Sequence, residues 1–292
     1  MLENKKIGFL GGGNMADAII KGLISAEFME AENIMVSDSD SSKLERLHKE
    51  YKIQTTPDNR VTTEKSNIIV IAVKPQIIEK VLSEVADLAD NKKLFISVAA
   101  GVNISAMENL LIGKRGRKVC VVRTMPNTPS LVLEGATAIA PGTHVSRKDL
   151  AIARRIFEAV GITVDVEESQ LDAVTGLSGS GPAYIFMVIE ALSDAGVKMG
   201  LSRETANALT IQTVLGTARL SKASGKHSGE LKDMVTSPGG TTISGLHRLE
   251  AGGVRASFMD AVENATLRSL ELGQSMVKNK VRKSSPKNNP DS

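Results

Sequence analysis

The sequence feature that most constrains the fold is a glycine-rich segment directly after the first apolar run. Residues 6–10 (KIGFL) predict a β-strand, and residues 11–16 (GGGNMA) follow at once, before apolar residues recur at helical spacing. The segment fits the pattern G-x-G-x-x-A. In that pattern Gly11 permits a tight turn, Gly13 lets the backbone approach a pyrophosphate, and Ala16 lets the helix pack closely on the strand. The segment therefore predicts a dinucleotide-binding turn at the N-terminus of a helix.

Strand and helix patterns alternate through residues 1–166. Several of the strand patterns are continuously apolar, as is typical of parallel strands that are covered on both faces. The alternation predicts the α/β class, with residues 1–166 forming a Rossmann domain around a doubly wound parallel sheet. The predicted strands are residues 6–10, 33–37, 67–73, 94–98, 119–122, 136–140 and 162–166.

The strand patterns stop after about residue 167, and residues 167–277 are predicted to form an all-helical domain. Residues 183–195 are apolar nearly all round, which predicts a fully buried helix. Residues 202–221 carry small side chains at helical spacing, which suits a close helix–helix or subunit contact. Residues 254–272 predict a last long helix.

Charge and composition exclude several classes of protein. The net charge of the 292-residue chain is +3, but a basic tail, residues 278–292, alone carries +4. Residues 1–277 therefore carry −1 and lack the basic surplus of a nucleic-acid binder. This tail is predicted to be disordered. A single cysteine, Cys120, and four histidines without ligand spacing predict no metal site. Without a membrane-length apolar run or a signal peptide, the chain is expected to be cytoplasmic, with no membrane partner.

Several segments should border the dinucleotide, because ligands of open α/β sheets bind at the carboxyl ends of the strands. Ser37 and Asp38 end the second strand, where an acid usually holds the ribose 2′-OH of NAD. The neighbouring serines and Lys43 could instead receive the 2′-phosphate of NADP, so this segment leaves NAD and NADP open. Lys74 could instead lie in a plain surface turn, and Asn127 could instead cap a turn. The residues expected to border the dinucleotide after the next three strands are Val73, Lys74, Pro75, Ala99, Ala100, Gly101 and Asn127.

A second glycine-rich segment lies in the helical half. Residues 237–242 (SPGGTT) precede a helical stretch at residues 243–250. Backbone N–H groups and the helix dipole can hold a carboxylate there without an arginine, although Thr242 could instead cap the helix. The sequence offers no obvious strong acid or base for this site. That absence favours hydride transfer to a protonated imine over reduction of a ketone, which needs a positioned proton donor.

These segments together resemble the pyrroline-5-carboxylate reductase family. The most specific match is residues 231–250 (LKDMVTSPGGTTISGLHRLE), and the resemblance covers roughly residues 5–275. His227-Ser228 departs from the His-Pro of many members. The other similar segments, in the same order, are GFLGGGNM (8–15), AVKP (72–75), SVAAG (97–101), RTMPNTP (123–129) and GLSGSGPAYIF (176–186).

The resemblance implies an oxidoreductase that reduces L-1-pyrroline-5-carboxylate to L-proline, the last step of proline biosynthesis. Hydride passes from NADPH, or from NADH, to the C=N carbon. The resemblance also implies a homodimer through the helical domain, and family dimers often assemble into decamers. Thr242 takes the place of the hydroxyl that hydrogen-bonds the ring nitrogen, and it is the expected catalytic residue.

The resemblance also implies which residues bind each ligand. The substrate carboxylate and ring nitrogen are expected at Ser237, Gly239, Gly240, Thr241 and Thr242. The cofactor is expected at Gly11, Gly12, Gly13, Asn14 and Met15, at Ser37 and Asp38, and at the residues given above for the next two strands.

Two rival functions fit the same two-domain plan. A hydroxyacid or imine dehydrogenase would need a lysine of the second domain as proton donor, and the candidates are Lys198, Lys222, Lys226 and Lys232. A non-catalytic NADP-binding regulator would have an altered carboxylate site, whereas Gly239, Gly240 and Thr242 are all present.

Overall fold

The computed structural model describes residue 2, residues 5–112, residue 116 and residues 118–284, with the side chains of the last helix up to Gln274. The chain divides into two compact units. The first comprises residues 1–179 together with 264–292, and the second comprises residues 180–263. The boundary at residue 166 between a cofactor domain and a substrate domain stays a prediction.

One eight-stranded sheet in the described part of the chain organises the first unit. Its order is β3-β2-β1-β4-β5-β6-β7-β8, and neighbouring strands from β3 to β6 are parallel. The chain moves outward from β1 to β3 and then resumes at β4 on the other side of β1. This is the topological switch point at which a doubly wound sheet binds its ligand, so the Rossmann prediction is confirmed. The strands are β1 (Ile7–Leu10), β2 (Ile34–Ser37), β3 (Gln54–Thr56), β4 (Ile68–Ile71), β5 (Leu94–Ser97), β6 (Cys120–Met125), β7 (Gly135–Pro141) and β8 (Gly161–Asp165).

Two features of the sheet differ from the sequence prediction. β7 runs antiparallel to β6, with Arg123 opposite Ala140, and β8 is parallel to β7. Only residues 126–134 join β6 to β7, whereas a parallel crossover needs about a dozen residues or more. β3 was not predicted because its three residues, QTT, carry no apolar pattern.

Helices cover both faces of this sheet, and apolar side chains fill the space between. Phe9 and Phe95 are fully buried in the two separate core clusters. Asp40 accepts a hydrogen bond from the Ser42 N–H and so begins α2, and a Ser146–Asp149 capping box begins α6. The helices are α1 (Asn14–Ser25), α2 (Ser41–Tyr51), α3 (Asn59–Lys65), α4 (Ile78–Val85), α5 (Ile104–Ile112), α6 (Arg147–Glu158) and α7 (Leu171–Val174), followed by a π-helical turn (Thr175–Gly179).

The second unit contains only helices among its described residues, as predicted. The prediction that residues 183–195 form a fully buried helix is wrong for the single chain. Phe186 and Met187 are 66% and 62% exposed, because α8 packs along α9 and leaves the rest of its apolar surface uncovered. The helices are α8 (Gly181–Lys198), α9 (Arg203–Ser224), α10 (Ser228–Met234), α11 (Thr241–Ala251) and the start of α12 (Val254–Ser284).

The basic tail is partly helical. α12 continues to Ser284, so residues 278–284 differ from the predicted disorder, while residues 285–292 lie outside the described residues. None of the described helices combines the length and apolar character that crossing a bilayer requires.

Glu108 on α5 offers a test of the core. One of its carboxylate oxygens is buried without a hydrogen-bond partner among the described residues. Desolvation raises the pKa of Glu108 above its ordinary value, although His144 opposes the shift. A raised pKa lowers stability when the group is ionised and has no effect once both folded and unfolded chains are protonated.

We therefore expect Glu108→Gln to raise the free energy of unfolding at neutral pH, and this gain to vanish as the pH falls below the ordinary pKa of a glutamate. Urea titrations at neutral and acidic pH measure it, with the exposed Glu45→Gln as control. A gain of the same size at both pH values contradicts the expectation.

Candidate functional site

The glycine-rich turn joins β1 to α1 and leaves open space at one position. Gly11 has φ +101°, and a Cβ there would lie 2.8 Å from the Ala72 carbonyl oxygen, so the fold itself requires this glycine. A Cβ on Gly13 would meet no atom within 4 Å. Gly13 is the N-cap of α1, and no side chain caps this helix, so the N–H groups of its first turn, including those of Asn14 and Met15, are available to a ligand. The turn therefore fits a pyrophosphate.

Asp38 lies directly beside this turn. Its Oδ2 accepts a hydrogen bond of 2.8 Å from the Gly12 N–H, and its Oδ1 accepts one of 2.9 Å from the Asp40 N–H. Lys43 Nζ lies 3.5 Å from Asp38 Oδ2 and 3.9 Å from Asp40 Oδ2. The Ser42 hydroxyl and backbone N–H groups lower the pKa of Asp40. One lysine thus faces two carboxylates where the adenosine ribose is expected.

Ser37, the last residue of β2, is buried and turns its hydroxyl inward. The hydroxyl donates to Asn59 Oδ1 at 2.8 Å, and Asn59 Nδ2 in turn donates to Glu84 Oε2 at 2.8 Å. A contact between Ser37 and the cofactor stays a prediction. Sequence reasoning missed Asn59, because it opens α3 after the Asp58 cap and is brought to Ser37 only by tertiary packing.

The segments after β4 and β5 line the same edge of the sheet. Val73 Cγ1 would lie 2.9 Å from a Cβ on Gly11, so these two predicted cofactor residues are neighbours. Lys74 is exposed, Pro75 starts a short 3₁₀ helix, and Gly101 has φ +74° in the turn after β5. Ala99 in this turn is buried and Ala100 is half-buried. Cofactor contacts at these positions stay predictions.

Asn127 uses both polar ends of its side chain within the fold. Its Oδ1 accepts from the Ala136 N–H at 2.9 Å, and its Nδ2 donates to Ser178 Oγ at 3.2 Å. A Cβ on Gly179 would lie 2.6 Å from Met125 Cε, so the π-helical turn packs against the carboxyl end of β6. Asn127 therefore ties the loop after β6 to β7 and to this turn. Its predicted contact with a cofactor remains untested.

In the second unit, residues 237–242 form a tight turn that opens α11. Pro238 and Gly239, with φ +66°, occupy the centre, and the Gly240 N–H donates to the Ser237 carbonyl at 3.1 Å. Pro followed by a positive-φ glycine is typical of a type II turn. A Cβ on Gly240 would lie only 2.3 Å from Ser237 Oγ, so the serine hydroxyl rests against the glycine.

Thr242 does not cap α11. The N-cap is Gly240, and no side chain accepts a hydrogen bond from the first turn of the helix. The first-turn N–H groups, which include those of Thr241 and Thr242, are therefore available to an anion. Thr242 is half-buried, and its hydroxyl makes no hydrogen bond within the described residues. Residues 235–242 contain no titratable side chain, so this loop can bind and orient but cannot supply a strong acid.

Gly13 provides a test that separates ligand binding from folding. Because a Cβ there would meet no atom within 4 Å, we expect Gly13→Val to keep the melting temperature while weakening NADPH binding at least tenfold, by filling the pyrophosphate site. Gly11→Ala is the matched control, and it should lower the melting temperature through its strained φ. Calorimetric titration and thermal melts measure both effects. Unchanged NADPH affinity in Gly13→Val contradicts the assignment.

The sheet order, the switch point and the open glycine turn define a Rossmann-type, dinucleotide-dependent oxidoreductase. A family model described as NADP oxidoreductase, coenzyme F420-dependent, matches residues 6–101. A second model, described as pyrroline-5-carboxylate reductase dimerisation, matches residues 168–272.

Whole-chain relatives narrow this class. A pyrroline-5-carboxylate reductase of Methanosarcina acetivorans is 49% identical, covering 94% of this chain and all of its own. The structure of a pyrroline-5-carboxylate reductase from Coxiella burnetii has a TM-score of 0.86 at 40% identity, covering 92% of this chain and 99% of its own. The structure of a Plasmodium falciparum pyrroline carboxylate reductase with NADP bound has a TM-score of 0.83 at 36% identity, covering 93% of this chain and 99% of its own. This chain belongs to the pyrroline-5-carboxylate reductase family.

The four lysines that could donate a proton in the rival hydroxyacid mechanism lie on the surface of the second unit. Lys198, Lys222, Lys226 and Lys232 are all exposed, at or near the ends of helices of the second unit. Lys232 lies 3.9 Å from Asp233 Oδ1. Their positions do not favour the hydroxyacid dehydrogenase.

Proposed function

We propose that this protein reduces L-1-pyrroline-5-carboxylate to L-proline with NADPH, or with NADH, as the last step of proline biosynthesis. The observation that carries the proposal is the loop of residues 237–242. It offers an uncapped helix N-terminus beside unengaged hydroxyl groups, and it has no acid or base of its own. Such a loop can bind the substrate carboxylate, and a protonated imine is electrophilic enough to accept hydride without a strong acid from the protein.

The first unit holds the cofactor. The N–H groups at the start of α1 bind the pyrophosphate across Gly13, and Asp38 faces the adenosine ribose. Val73 and the turn at residues 99–101 border the remaining part of the dinucleotide. A bound reduced nicotinamide supplies the hydride that adds to C5 of the substrate.

The second unit holds the substrate. The N–H groups of the first turn of α11 and the Ser237 hydroxyl bind the carboxylate, and the helix dipole favours its negative charge. The Thr242 hydroxyl accepts a hydrogen bond from the protonated ring nitrogen and so fixes the orientation of the C=N bond. After hydride addition, the nitrogen keeps its proton as a neutral amine, and this amine takes a second proton from water to become the ammonium of L-proline, so no side chain has to transfer a proton.

Exposed apolar helix surface supports a homodimer. Large apolar side chains on α8 and α9 are uncovered in the single chain, as is expected for a surface that another subunit covers. The match to a dimerisation family spans both helices. Assembly into a decamer, the cytoplasmic location and the absence of a nucleic-acid partner stay predictions. The exposed side chains include Ile185, Phe186, Met187, Leu192, Leu209, Ile211, Leu215 and Leu220.

Phe186 tests the dimer surface. We expect Phe186→Asp to shift the protein toward monomer, because a charge replaces one of the most exposed apolar side chains of α8. Light scattering coupled to size exclusion measures the molar mass. Lys49→Asp, on an exposed position of α2, is the control and should leave the mass unchanged. A dimer of unaltered stability in Phe186→Asp would place the subunit contact elsewhere.

Steady-state assays test the reaction itself. The absorbance of NADPH, and separately of NADH, is followed after adding pyrroline-5-carboxylate. We expect rapid oxidation. In a folded sample that still binds NADPH, absence of oxidation with both cofactors would contradict the proposal, and turnover of a 3-hydroxy acid would favour the dehydrogenase alternative.

A further inference from the structure

A cavity of about 320 Å³ lies wholly within the first unit. Two residues from the turn after β5, Gly101 and Asn103, line it. The other lining residues are Arg123 of β6, Asp172 of α7, and Leu270, Gly273 and Gln274 of α12. A volume of this size suits a small ligand. The reaction proposed above uses neither Arg123 nor Asp172.

Arg123 is buried with hydrogen-bonding capacity left over. It is 5% exposed, and its Nη1 donates to Glu168 Oε1 at 3.3 Å. That is the only hydrogen bond of the guanidinium within the part of the chain that the structure describes. The same Glu168 oxygen also accepts from the Ile104 N–H at 2.6 Å. A guanidinium carries five N–H groups, and Arg123 lines the cavity, so its remaining donors are available to an acceptor bound there.

Asp172 supplies the opposite charge in the same cavity. Its Oδ1 accepts a hydrogen bond of 2.6 Å from Ser269 Oγ, which fixes the carboxylate against α12. This partner is neutral, and no cation pairs with Asp172 among the described residues. An ammonium group would satisfy it, whereas a ligand with a carboxylate alone would leave this charge unpaired.

We propose that this cavity is a binding site for a small zwitterion, whose carboxylate pairs with Arg123 and whose ammonium group pairs with Asp172. The planar guanidinium suits a carboxylate, which can take two of its N–H groups at once. Asn103 Oδ1 accepts a hydrogen bond from the Ala106 N–H at the start of α5. The amide NH₂ of Asn103 remains as a further donor for the carboxylate.

Two of the parts that line the cavity pack closely on each other, which suits a preformed site. A Cβ on Gly273 would lie 3.0 Å from the Gly101 carbonyl oxygen, so α12 rests directly against the turn after β5. The lining therefore comes from four parts of the first unit, which are the turn after β5, β6, α7 and α12.

Calorimetric titration of the full-length protein with a ligand series tests the site. The probes are glycine, β-alanine, 4-aminobutyrate and 5-aminovalerate, which separate the two charges by increasing lengths, with propionate and propylamine as single-charge references. We expect one zwitterion to bind at least tenfold more tightly than both references, and to do so equally with saturating NADPH present. Binding no tighter than the references, or displacement by NADPH, overturns the proposal.

Asp172→Asn sharpens the test, because the amide still accepts from Ser269 while the charge is lost. We expect at least tenfold weaker binding of the best zwitterion and no weakening of propionate binding, because the variant also removes a negative charge near the carboxylate site. Asp149→Asn is the matched control, since Asp149 accepts from the Ser146 hydroxyl at 2.6 Å on α6. Equal zwitterion affinity in Asp172→Asn, with folding verified by thermal melting, overturns the proposal. Should this variant fail to fold, the ligand series on the unaltered protein decides alone.

Discussion

Replacing Thr242 by alanine is expected to lower kcat/KM for pyrroline-5-carboxylate about a hundredfold, the size of effect that removing one positioned hydrogen-bonding group produces. Thr242 stands in the uncapped first turn of α11, and its hydroxyl has no partner in the described part of the chain. The hydroxyl is therefore available to orient the ring nitrogen, and its loss should misalign the C=N bond. The affinity for NADPH should not change, because the glycine turn that binds it is intact.

Two further variants separate orientation from structure. Thr242→Ser keeps the hydroxyl and should retain most of the activity. Thr236→Ala removes a threonine hydroxyl that is already engaged with the Lys232 carbonyl at 2.6 Å, and kcat/KM should stay close to that of the parent protein. Steady-state kinetics and calorimetric titration with NADPH measure these effects. An unaltered rate in Thr242→Ala would remove this residue from the mechanism.

Replacing Asp38 by asparagine is expected to raise the ratio of kcat/KM with NADPH to that with NADH about tenfold. A carboxylate near the 2′-phosphate of NADPH repels it by ~1–4 kcal/mol at about 4 Å, depending on the local dielectric. Asp38 is placed for this effect, since its Oδ2 accepts the Gly12 N–H at 2.8 Å. An asparagine oxygen can still accept this hydrogen bond, so the turn should keep its shape while Lys43 loses one of its two anionic neighbours.

The control for this variant is Asp58→Asn, which removes one negative charge elsewhere in the same unit, at the N-cap of α3. Asp58 accepts from the Arg60 N–H at the start of α3, and asparagine serves equally well as an N-cap. Its cofactor ratio should match that of the parent protein. If Asp38→Asn also has the same NADPH-to-NADH ratio of kcat/KM as the parent protein, this carboxylate does not distinguish the 2′-phosphate from the 2′-hydroxyl of the ribose.

The sequence predicted the sheet and the glycine turn well because both depend on local signals. Apolar runs and turn glycines lie within a few residues of the structure they specify, and β1 to α1 follows the fingerprint residue by residue. The direction of β7 was missed because it depends on the length of the link from β6, not on either strand's own pattern.

Burial was less predictable in the second unit. An apolar pattern on α8 predicts that its surface is covered, but it does not tell whether the same chain or another subunit covers it. Phe186 was therefore expected to be buried within the chain, whereas it is exposed. Contacts between residues far apart in sequence carry no local signal at all. The hydrogen bonds from Ser37 to Asn59 and from Asn127 to Ser178 are of this kind, and so is the Arg123–Glu168 pair.

The most direct test of the proposed reaction follows the transferred hydride by labelling it with deuterium. Pyrroline-5-carboxylate is incubated with the protein and NADPH that carries deuterium at the transferable position, and the product is analysed by NMR and chiral chromatography. We expect L-proline with one deuterium at C5. Proline without deuterium at C5, or no proline from a folded protein that binds NADPH, would contradict hydride transfer to the C=N carbon.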